Sequence, residues 1–260
     1  MVKRILYTSI AVGLLTATAE AKDLSLTAGY NFTDYSGVHG TRHISSVEIK
    51  NKLESGAAVF NISQGKRDYG QGESWDALQG RGTLWYNWNP WLSSKTGIAI
   101  AENTPVFSRK DLQQDISLKL IPQTLLTFGY RYANYFDDTN MNAWSGGFSL
   151  YTGPFITSWR YTYYDTVGIG SSYSNIISLR LNDSNGSGNT QLWLSKGTGA
   201  YAYEWDPETR KGKLKSISLR RVQSLTKQLS LGLTVGKQWY DTPVDNYHSL
   251  QGVADITWTF

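Results

Sequence analysis

The sequence predicts an all-β protein, a transmembrane antiparallel β-barrel of fourteen strands, and three observations support this prediction. The chain ends on a run with an almost entirely apolar face, made of Leu250, Gly252, Ala254, Ile256, Trp258 and Phe260. The residues between them are mostly polar, and this period of two is typical of a strand that contacts lipid on one side. The second observation is a short apolar segment at the N-terminus. The third is that period-two runs recur along the rest of the chain.

Residues 1–21 have the three parts of a secretory signal peptide. Lys3 and Arg4 supply the charged start, an apolar stretch covers residues 5–15, and Ala19-Glu20-Ala21 forms an Ala-x-Ala cleavage site. The apolar stretch is too short for a transmembrane helix, which needs roughly 20 apolar residues. We therefore predict an exported protein with a signal peptide at residues 1–21 and a barrel at residues 22–260.

The barrel region divides into short period-two runs separated by turns, with no linker or second domain. The apolar faces of the first seven predicted strands lie within residues 24–32, 47–53, 58–62, 78–86, 98–100, 116–120 and 126–132. Those of the last seven lie within residues 144–150, 155–163, 177–181, 192–194, 217–219, 229–235 and 250–260. Residues 34–42 are predicted as a loop. An even count puts both termini on the periplasmic side. Strands two, five and twelve have the weakest patterns, so twelve strands is the alternative count.

The composition agrees with a barrel and excludes several other classes of protein. A mean hydropathy of −0.38 is too low for a helical membrane protein, whereas only alternate residues of a barrel strand face lipid. The chain has no cysteine, so disulfides and thiolate chemistry are both excluded. Its formal charge of +4 falls to +3 without the two cations and one anion of the signal segment. That charge is too small to indicate a nucleic-acid partner, and we expect no cofactor.

The aromatic residues predict where the barrel meets the membrane surfaces. The chain contains 17 tyrosines and 10 tryptophans, side chains that favour the membrane–water interface. Tyr86, Trp88, Trp91 and Trp258 are predicted for the periplasmic girdle, and Tyr132, Tyr163, Trp239 and Tyr240 for the extracellular one. The aromatic residue at the end of the last strand resembles the assembly signal of Gram-negative outer-membrane barrels. This similarity predicts that Phe260 contacts the barrel-assembly machinery.

Five segments of the chain resemble the YaiO family of outer-membrane β-barrel proteins. They are Thr27–Gly37, Asn103–Arg109, Ser149–Pro154, Gln191–Tyr201 and Trp239–Pro243, and together they extend over nearly the whole predicted barrel. The resemblance implies a barrel in the Gram-negative outer membrane, in contact with its lipid and lipopolysaccharide. Related barrel domains accompany envelope polysaccharide systems, which implies the handling of saccharides. The resemblance supplies no catalytic residues.

If the apolar faces point outward, the residues between them face the lumen. This parity places nine basic side chains inside: Lys50, Arg67, Arg81, Lys95, Lys119, Arg131, Arg160, Arg180 and Arg220. It places three acidic side chains there: Glu48, Asp115 and Asp255. The imbalance predicts a cationic lumen, which concentrates anions. Arginine suits carboxylates and phosphates because its planar fork binds them through two hydrogen bonds. Trp85 and Trp193 also face inward by parity, where they could stack on sugar rings.

The first functional hypothesis is therefore a channel or binding site for anionic, saccharide-like solutes such as acidic oligosaccharides. Its predicted contacts are Arg81, Arg131, Arg160, Arg180, Arg220, Lys119, Trp85 and Trp193. The alternative is a non-conducting structural barrel associated with envelope polysaccharide, in which inward Arg and Asp side chains close the interior. The weakest hypothesis is a hydrolase site at the rim around His39, His43 and His248. Their spacing matches no hydrolase motif, so we expect no enzymatic activity.

A predicted loop at residues 199–212 interleaves aromatic and charged side chains. Tyr201, Tyr203 and Trp205 in this loop are candidate contacts for sugar or protein. The acidic loop residues Asp137, Asp138 and Asp241 lack the spacing of a metal-binding loop, so no metal site is predicted.

Overall fold

The computed structural model describes residues 24–70, 72–198, 212–243 and 245–260, and these residues form a closed barrel of fourteen antiparallel strands. The first seven are β1 (Leu24–Tyr35), β2 (Thr41–Leu53), β3 (Gly56–Asp68), β4 (Ser74–Asn89), β5 (Leu92–Ala101), β6 (Lys110–Ile121) and β7 (Thr124–Asn134). The others are β8 (Asn140–Thr152), β9 (Phe155–Thr166), β10 (Gly170–Asn182), β11 (Gly188–Thr198), β12 (Lys213–Ser224), β13 (Leu229–Asp241) and β14 (Asn246–Thr259). The predicted fold class is confirmed, and the strand count is fourteen rather than twelve.

The barrel closes between its first and last strands. Each strand pairs with the next along the chain, and β14 pairs with β1. At the end of this seam the backbone N–H of Phe260 donates to the carbonyl of Leu24 at 2.9 Å. Closure matters because lipid offers no partner to an unpaired backbone group. Leu24, the first described residue, and Phe260 lie at one end, where the turns after β2, β4, β6 and β8 have two residues each. Short turns are periplasmic in bacterial barrels, so the opposite end is extracellular.

The strand period of two separates a lipid-facing wall from an inner wall. In β5, for example, Ile98 and Ile100 are exposed on the outside, whereas Ala99 between them is buried. The same alternation continues around the barrel and gives it an apolar outer surface. No helix in the described part of the chain is long and apolar enough to span a bilayer.

One residue of the predicted extracellular girdle lies on the other side of the wall. Trp239 is exposed on the outer surface as predicted, but Tyr240 is only 8% exposed and packs inside the barrel. Its ring stacks on that of Tyr247 with 4.4 Å between centroids. The prediction for Tyr240 is wrong because consecutive strand residues point to opposite faces, and Trp239 occupies the outward position.

The boundary of β2 also differs from the prediction. Residues 34–42 were expected to form a loop, but β1 extends to Tyr35 and β2 begins at Thr41, with Asp34 opposite Thr41. Arg42 therefore belongs to a strand, and its parity turns it inward. The predicted signal peptide at residues 1–21 lies outside the described residues and stays a prediction.

Candidate functional site in the lumen

The loop between β5 and β6, here called the inward loop (residues 102–109), folds into the barrel. Val106 and Phe107 are buried against Ala77, and Ile44, Trp75 and Ala101 pack around them. These partners are apolar residues of the inner wall of β2, β4 and β5. An apolar pair within an otherwise polar loop explains the inward fold, because burial removes both side chains from water.

Gly65 on β3 makes room for the inward loop. A Cβ atom at this position would lie 2.6 Å from Cγ1 of Val106 and 2.7 Å from Cζ of Phe107. Both distances are far below van der Waals contact, so any larger residue at position 65 would push the loop towards the lumen axis. The missing side chain thus fixes the loop close to the wall.

Arg42 attaches the inward loop to β2. Its Nη2 atom donates to the carbonyl of Val106 at 3.0 Å, and its guanidinium group lies 5.9 Å from the ring centroid of Phe107. Its Nε atom is buried and has no hydrogen-bond partner among the described residues. The guanidinium group therefore keeps an unused donor in the region of the loop.

A cavity of about 360 Å³ lies in the extracellular half of the lumen beside the inward loop. Four arginines line it: Arg42, Arg67, Arg81 and Arg131. Five aromatic side chains also line it: Tyr35, Tyr69, Phe107, Tyr135 and Tyr240. Burial raises the pKa of the Tyr135 phenol, so this hydroxyl stays protonated at neutral pH. The volume falls within the usual range for small-molecule sites.

Arg67 lies between two of these rings. Its guanidinium carbon is 4.0 Å from the ring centroid of Tyr35 and 4.3 Å from that of Tyr69. Its Nη1 atom also donates to the carbonyls of His39 and Thr41 at 2.7 and 3.2 Å. Arg67 is only 4% exposed. Stacking and hydrogen bonds to several elements hold its guanidinium group in a fixed orientation.

Four of the predicted lumen arginines form ion pairs with three aspartates. Asp111 accepts from Arg131 at 2.5 Å and lies 3.6 Å from Arg81. The other two pairs are Arg160–Asp115 at 2.5 Å and Arg220–Asp255 at 2.8 Å. Asp111 and Asp115 are nearly buried, so their carboxylates have little contact with water. The arginine partners compensate for this lost hydration.

Two of these pairs cross intervening strands at glycines. Arg160 on β9 reaches Asp115 on β6, and a Cβ atom on Gly129 of β7 would collide with both side chains. A Cβ atom on Gly232 of β13 would likewise collide with the Arg220–Asp255 pair. Glycine is therefore required at both positions for the bridges to form.

The remaining predicted lumen residues lie in the periplasmic half. Trp85 faces Lys95, whose Nζ lies 5.6 Å from the Trp85 ring centroid. Arg180 donates from Nε to Asn182 at 2.9 Å. Trp193 lies opposite Ser218, and Lys119 is exposed beside a register shift in β6. None of these residues lines the extracellular cavity, so the predicted solute contacts are distributed over two levels of the lumen.

Sequence reasoning missed Asp111, Arg42 and the inward loop. Asp111 has the same parity as Asp115, and extending the predicted sixth strand towards its start would have placed it inside. Arg42 was hidden by the misplaced start of β2. The only sequence signal for the inward loop is the apolar pair Val106-Phe107 after Pro105. The loop contacts predicted at Tyr201, Tyr203 and Trp205 lie outside the described residues.

The histidines that motivated the hydrolase hypothesis have separate surroundings. Nδ1 of His43 is 2.6 Å from the Tyr30 hydroxyl, and Nε2 of His39 is 3.2 Å from a carboxylate oxygen of Asp245. His248 donates its backbone N–H to the Ser36 hydroxyl at 2.9 Å. Over the described ranges, no cluster of three or more His, Asp or Glu side chains could hold a metal ion. The absence of enzymatic activity stays a prediction.

Comparison with known families connects this geometry to a class of proteins. The model of the YaiO membrane beta barrel domain matches residues 23–204. The chain belongs to the YaiO family. Membership agrees with the closed barrel, its apolar outer wall and its polar inner wall, and it places the chain in the Gram-negative outer membrane.

Solved structures share the fold of this YaiO family member at low sequence identity. A monoaromatic hydrocarbon channel, CymD, matches with a TM-score of 0.65 at 9% identity, over 94% of this chain and 90% of the other. A bacterial polysaccharide outer membrane secretin matches with a TM-score of 0.61 at 9% identity, over 92% and 99%. Omp33 of Acinetobacter baumannii matches with a TM-score of 0.50 at 7% identity, over 93% and 100%. These similarities show the fold, a closed β-barrel.

Proposed function

We propose that this outer-membrane barrel is a channel whose extracellular half binds anionic, saccharide-like solutes. The observation that carries the proposal is the cavity beside the inward loop, where four guanidinium groups and five aromatic rings converge. Guanidinium groups bind carboxylates and phosphates, and aromatic faces pack against the apolar faces of sugars. The cavity thus combines the two kinds of contact that an acidic sugar needs.

The charge around the cavity favours an anion. Arg131 and Arg81 share a single carboxylate, that of Asp111, so this group of three keeps a positive charge. Arg42 forms no ion pair within the described part of the chain, and its buried Nε lacks a partner. A buried donor is normally hydrogen-bonded in a native protein. A bound anion would supply the missing acceptor and offset the positive charge.

The polar groups around the cavity suit hydroxyl-rich solutes. Gln79, Gln238 and Gln251 contribute side-chain amides to its lining, and each amide both donates and accepts hydrogen bonds. The hydroxyl of Ser249 also lines the cavity and is buried without a partner among the described residues. Sugar hydroxyls could satisfy these groups, whereas a hydrocarbon solute would leave them unpaired.

The names of two solved structures with similar folds mention solutes of different chemistry, so the fold alone does not identify the solute. The neighbours include a monoaromatic hydrocarbon channel and a polysaccharide secretin. The present proposal therefore depends on the cavity residues, and the polysaccharide named for one neighbour only agrees with it.

Single-channel recording of the refolded mature protein in planar bilayers tests the proposal. We expect anion-selective openings that are blocked more strongly by a short galacturonic acid oligomer than by a neutral maltose oligomer of equal length. In R42Q the dissociation constant of the acidic blocker should rise on the order of tenfold, because a charged hydrogen bond is lost. The variant K66Q is a matched control, since Lys66 lies on the outer wall and its loss should leave block unchanged.

Other outcomes of this recording would contradict the proposal. Cation-selective openings, or equal block by acidic and neutral oligomers, would contradict the proposal that the solute is anionic. R42K separates charge from geometry, because it keeps the cation but loses the planar fork. Full block in R42K would show that Arg42 acts through charge alone.

The second candidate is a non-conducting structural barrel, and it also has an observation in its favour. The inward loop fills part of the lumen, and Arg–Asp pairs join strands across the inner wall. Such a closed interior predicts no openings from a correctly folded protein. The alternative would be supported by silent bilayers together with the heat-modifiable migration on gels that is typical of folded barrels.

We also propose that the C-terminal residue acts as an assembly signal. The Phe260 side chain is 47% exposed at the periplasmic end of the seam. A free ring at this end is accessible to the barrel-assembly machinery before insertion. Deletion of Phe260 should slow insertion in cells while refolding into detergent stays normal, and equal insertion rates would contradict this role.

A further inference from the structure

The outer wall of β11–β13 carries a group of lysines just above the apolar belt. Lys196, Lys213, Lys215 and Lys237 share the outward parity of Leu194, Ile217 and Val235 on the same three strands. All four lie nearer the extracellular end than those apolar residues. We call these four residues the lysine patch.

The strand register forces like charges together in the lysine patch. Lys196 on β11 is directly opposite Lys215 on β12. Side chains directly opposite each other in an antiparallel pair have Cβ atoms about 4.5–5.5 Å apart, and like charges there are destabilising. Lys237 lies opposite Ile217, two residues further along the same face of β12. Within the described ranges none of the four amines forms an ion pair.

One outward lysine elsewhere on the barrel has an acidic partner instead. Lys66 on β3 lies directly opposite Asp76 on β4. Within the lysine patch, the outward acid in register is Asp241, which lies opposite Lys213 at the extracellular edge. Lys196, Lys215 and Lys237 have no such partner across their strands. An anion placed between these amines would relieve their repulsion.

The level of the patch in the membrane defines the anion. Trp239 on β13 lies opposite Lys215, and the Lys237 amine is 5.4 Å from its ring centroid. Tryptophan favours the headgroup level of the bilayer, and the wall below is apolar. An anion at this height above acyl chains is the headgroup of an outer-leaflet lipid. Lipopolysaccharide carries phosphate groups on sugars directly above its acyl chains.

We propose that the lysine patch is a binding site for the phosphorylated sugar headgroup of lipopolysaccharide. Lys196 and Lys215 bracket one phosphate, Lys237 and Lys213 extend the site along the wall, and the acyl chains cover Leu194, Ile217 and Val235. Several amines acting on one anionic headgroup are a recurring mode of lipid recognition. The site is independent of the lumen, so K196Q/K215Q should leave conductance unchanged.

Native mass spectrometry of the detergent-solubilised protein tests the site directly. The mature protein is titrated with diphosphoryl lipid A, with lipid A stripped of both phosphates, and with phosphatidylglycerol. We expect preferential binding of the diphosphoryl form, and a loss of affinity on the order of tenfold in K196Q/K215Q. The control K66Q removes one outward lysine that faces an acid and should bind as the wild type does.

Three outcomes would overturn the proposal. They are equal binding of the phosphate-free lipid, equal binding of phosphatidylglycerol, and unchanged affinity in the double variant. Thermal stability supplies a second test that does not require a binding assay. Without lipopolysaccharide, K196Q should raise the unfolding temperature because it removes a like-charge pair. With lipopolysaccharide it should lower that temperature, because a phosphate contact is lost. A change of the same sign under both conditions would also overturn the site.

Discussion

The ion pairs of the inner wall and the lysine patch of the outer wall treat cationic side chains in opposite ways. On the inner wall, Arg160 and Arg220 each reach an aspartate of the same chain. On the outer wall of β11–β13, Lys196 and Lys215 face each other across adjacent strands. The Arg160 and Arg220 pairs find their counter-ions within the chain, whereas we propose that the lysine patch finds its counter-ion in the surrounding membrane.

The residue types follow from this division. On the inner wall, the planar guanidinium group of arginine fits a carboxylate through two hydrogen bonds. Gly129 and Gly232 leave the space for two of these pairs. A lysine at the lipid headgroup level needs a flexible stem that keeps its amine in the polar layer. The inner pairs are therefore expected to determine stability, and the outer lysines are expected to depend on the lipid present.

Removing one partner of an inner pair should have the largest effect. In R160A the residue Asp115, which is 6% exposed, loses its cation. We expect the free energy of unfolding to fall by about 3 kcal/mol, the lower end for a broken buried pair, because the lumen side admits water. Urea unfolding in lipid vesicles, followed by tryptophan fluorescence, measures this change.

The double variant D115A/R160A is the control for that measurement. Removing both charges leaves no unpaired carboxylate, so part of the lost stability should return. If the loss of unfolding free energy in the double variant equals the sum of the losses in R160A and D115A, the two residues do not interact. The inner wall would then not be organised by its ion pairs.

Enlarging Gly65 should have the next largest effect. A leucine there would occupy the space of Val106 and Phe107, so G65L should displace the inward loop at a cost of about 2 kcal/mol. Single-channel conductance should change, and block by the acidic oligomer should weaken, because the cavity loses one wall. G80L is the matched control, since nothing lies within 4 Å of a Cβ at Gly80. Identical conductance in G65L and wild type would show that the loop does not shape the lumen.

The sequence predicted the barrel well because the membrane imposes a period of two on every strand. Parity even gave the ends of two bridges, since Arg160, Asp115, Arg220 and Asp255 were all assigned to the interior. It could not give the pairing, because Arg160 and Asp115 are 45 residues apart and meet only across two intervening strands. It also could not give the cavity, which depends on a loop folding inward and on the missing side chain of Gly65. Periodicity predicts which strand residues face the lumen, whereas the cavity also depends on the inward loop that packs against those residues.

A partly exposed pair at the membrane surface should show the smallest effect and tests whether location matters. Arg221 and Asp183 lie at the periplasmic end, with 2.5 Å between Nη2 and Oδ2. A hydrogen bond from Arg221 and a weaker contribution from Ser187 hold the pKa of the Asp183 carboxyl below its ordinary value of 3.8. A group with a lowered pKa stabilises the folded state above its unfolded pKa, and this contribution disappears as the pH falls through the folded pKa.

D183N should therefore be slightly less stable than the wild type at neutral pH and should converge with it in strong acid. Melting temperatures of both proteins between pH 7 and the acid limit measure the difference. Because the Asp183 carboxylate is more accessible to water than that of Asp115, the neutral-pH difference should be smaller than the effect of R160A. A difference as large as that of R160A, or one that grows as the pH falls, would show that exposure does not separate the two kinds of pair. The same Arg–Asp chemistry would then have equal value at the membrane surface and inside the barrel.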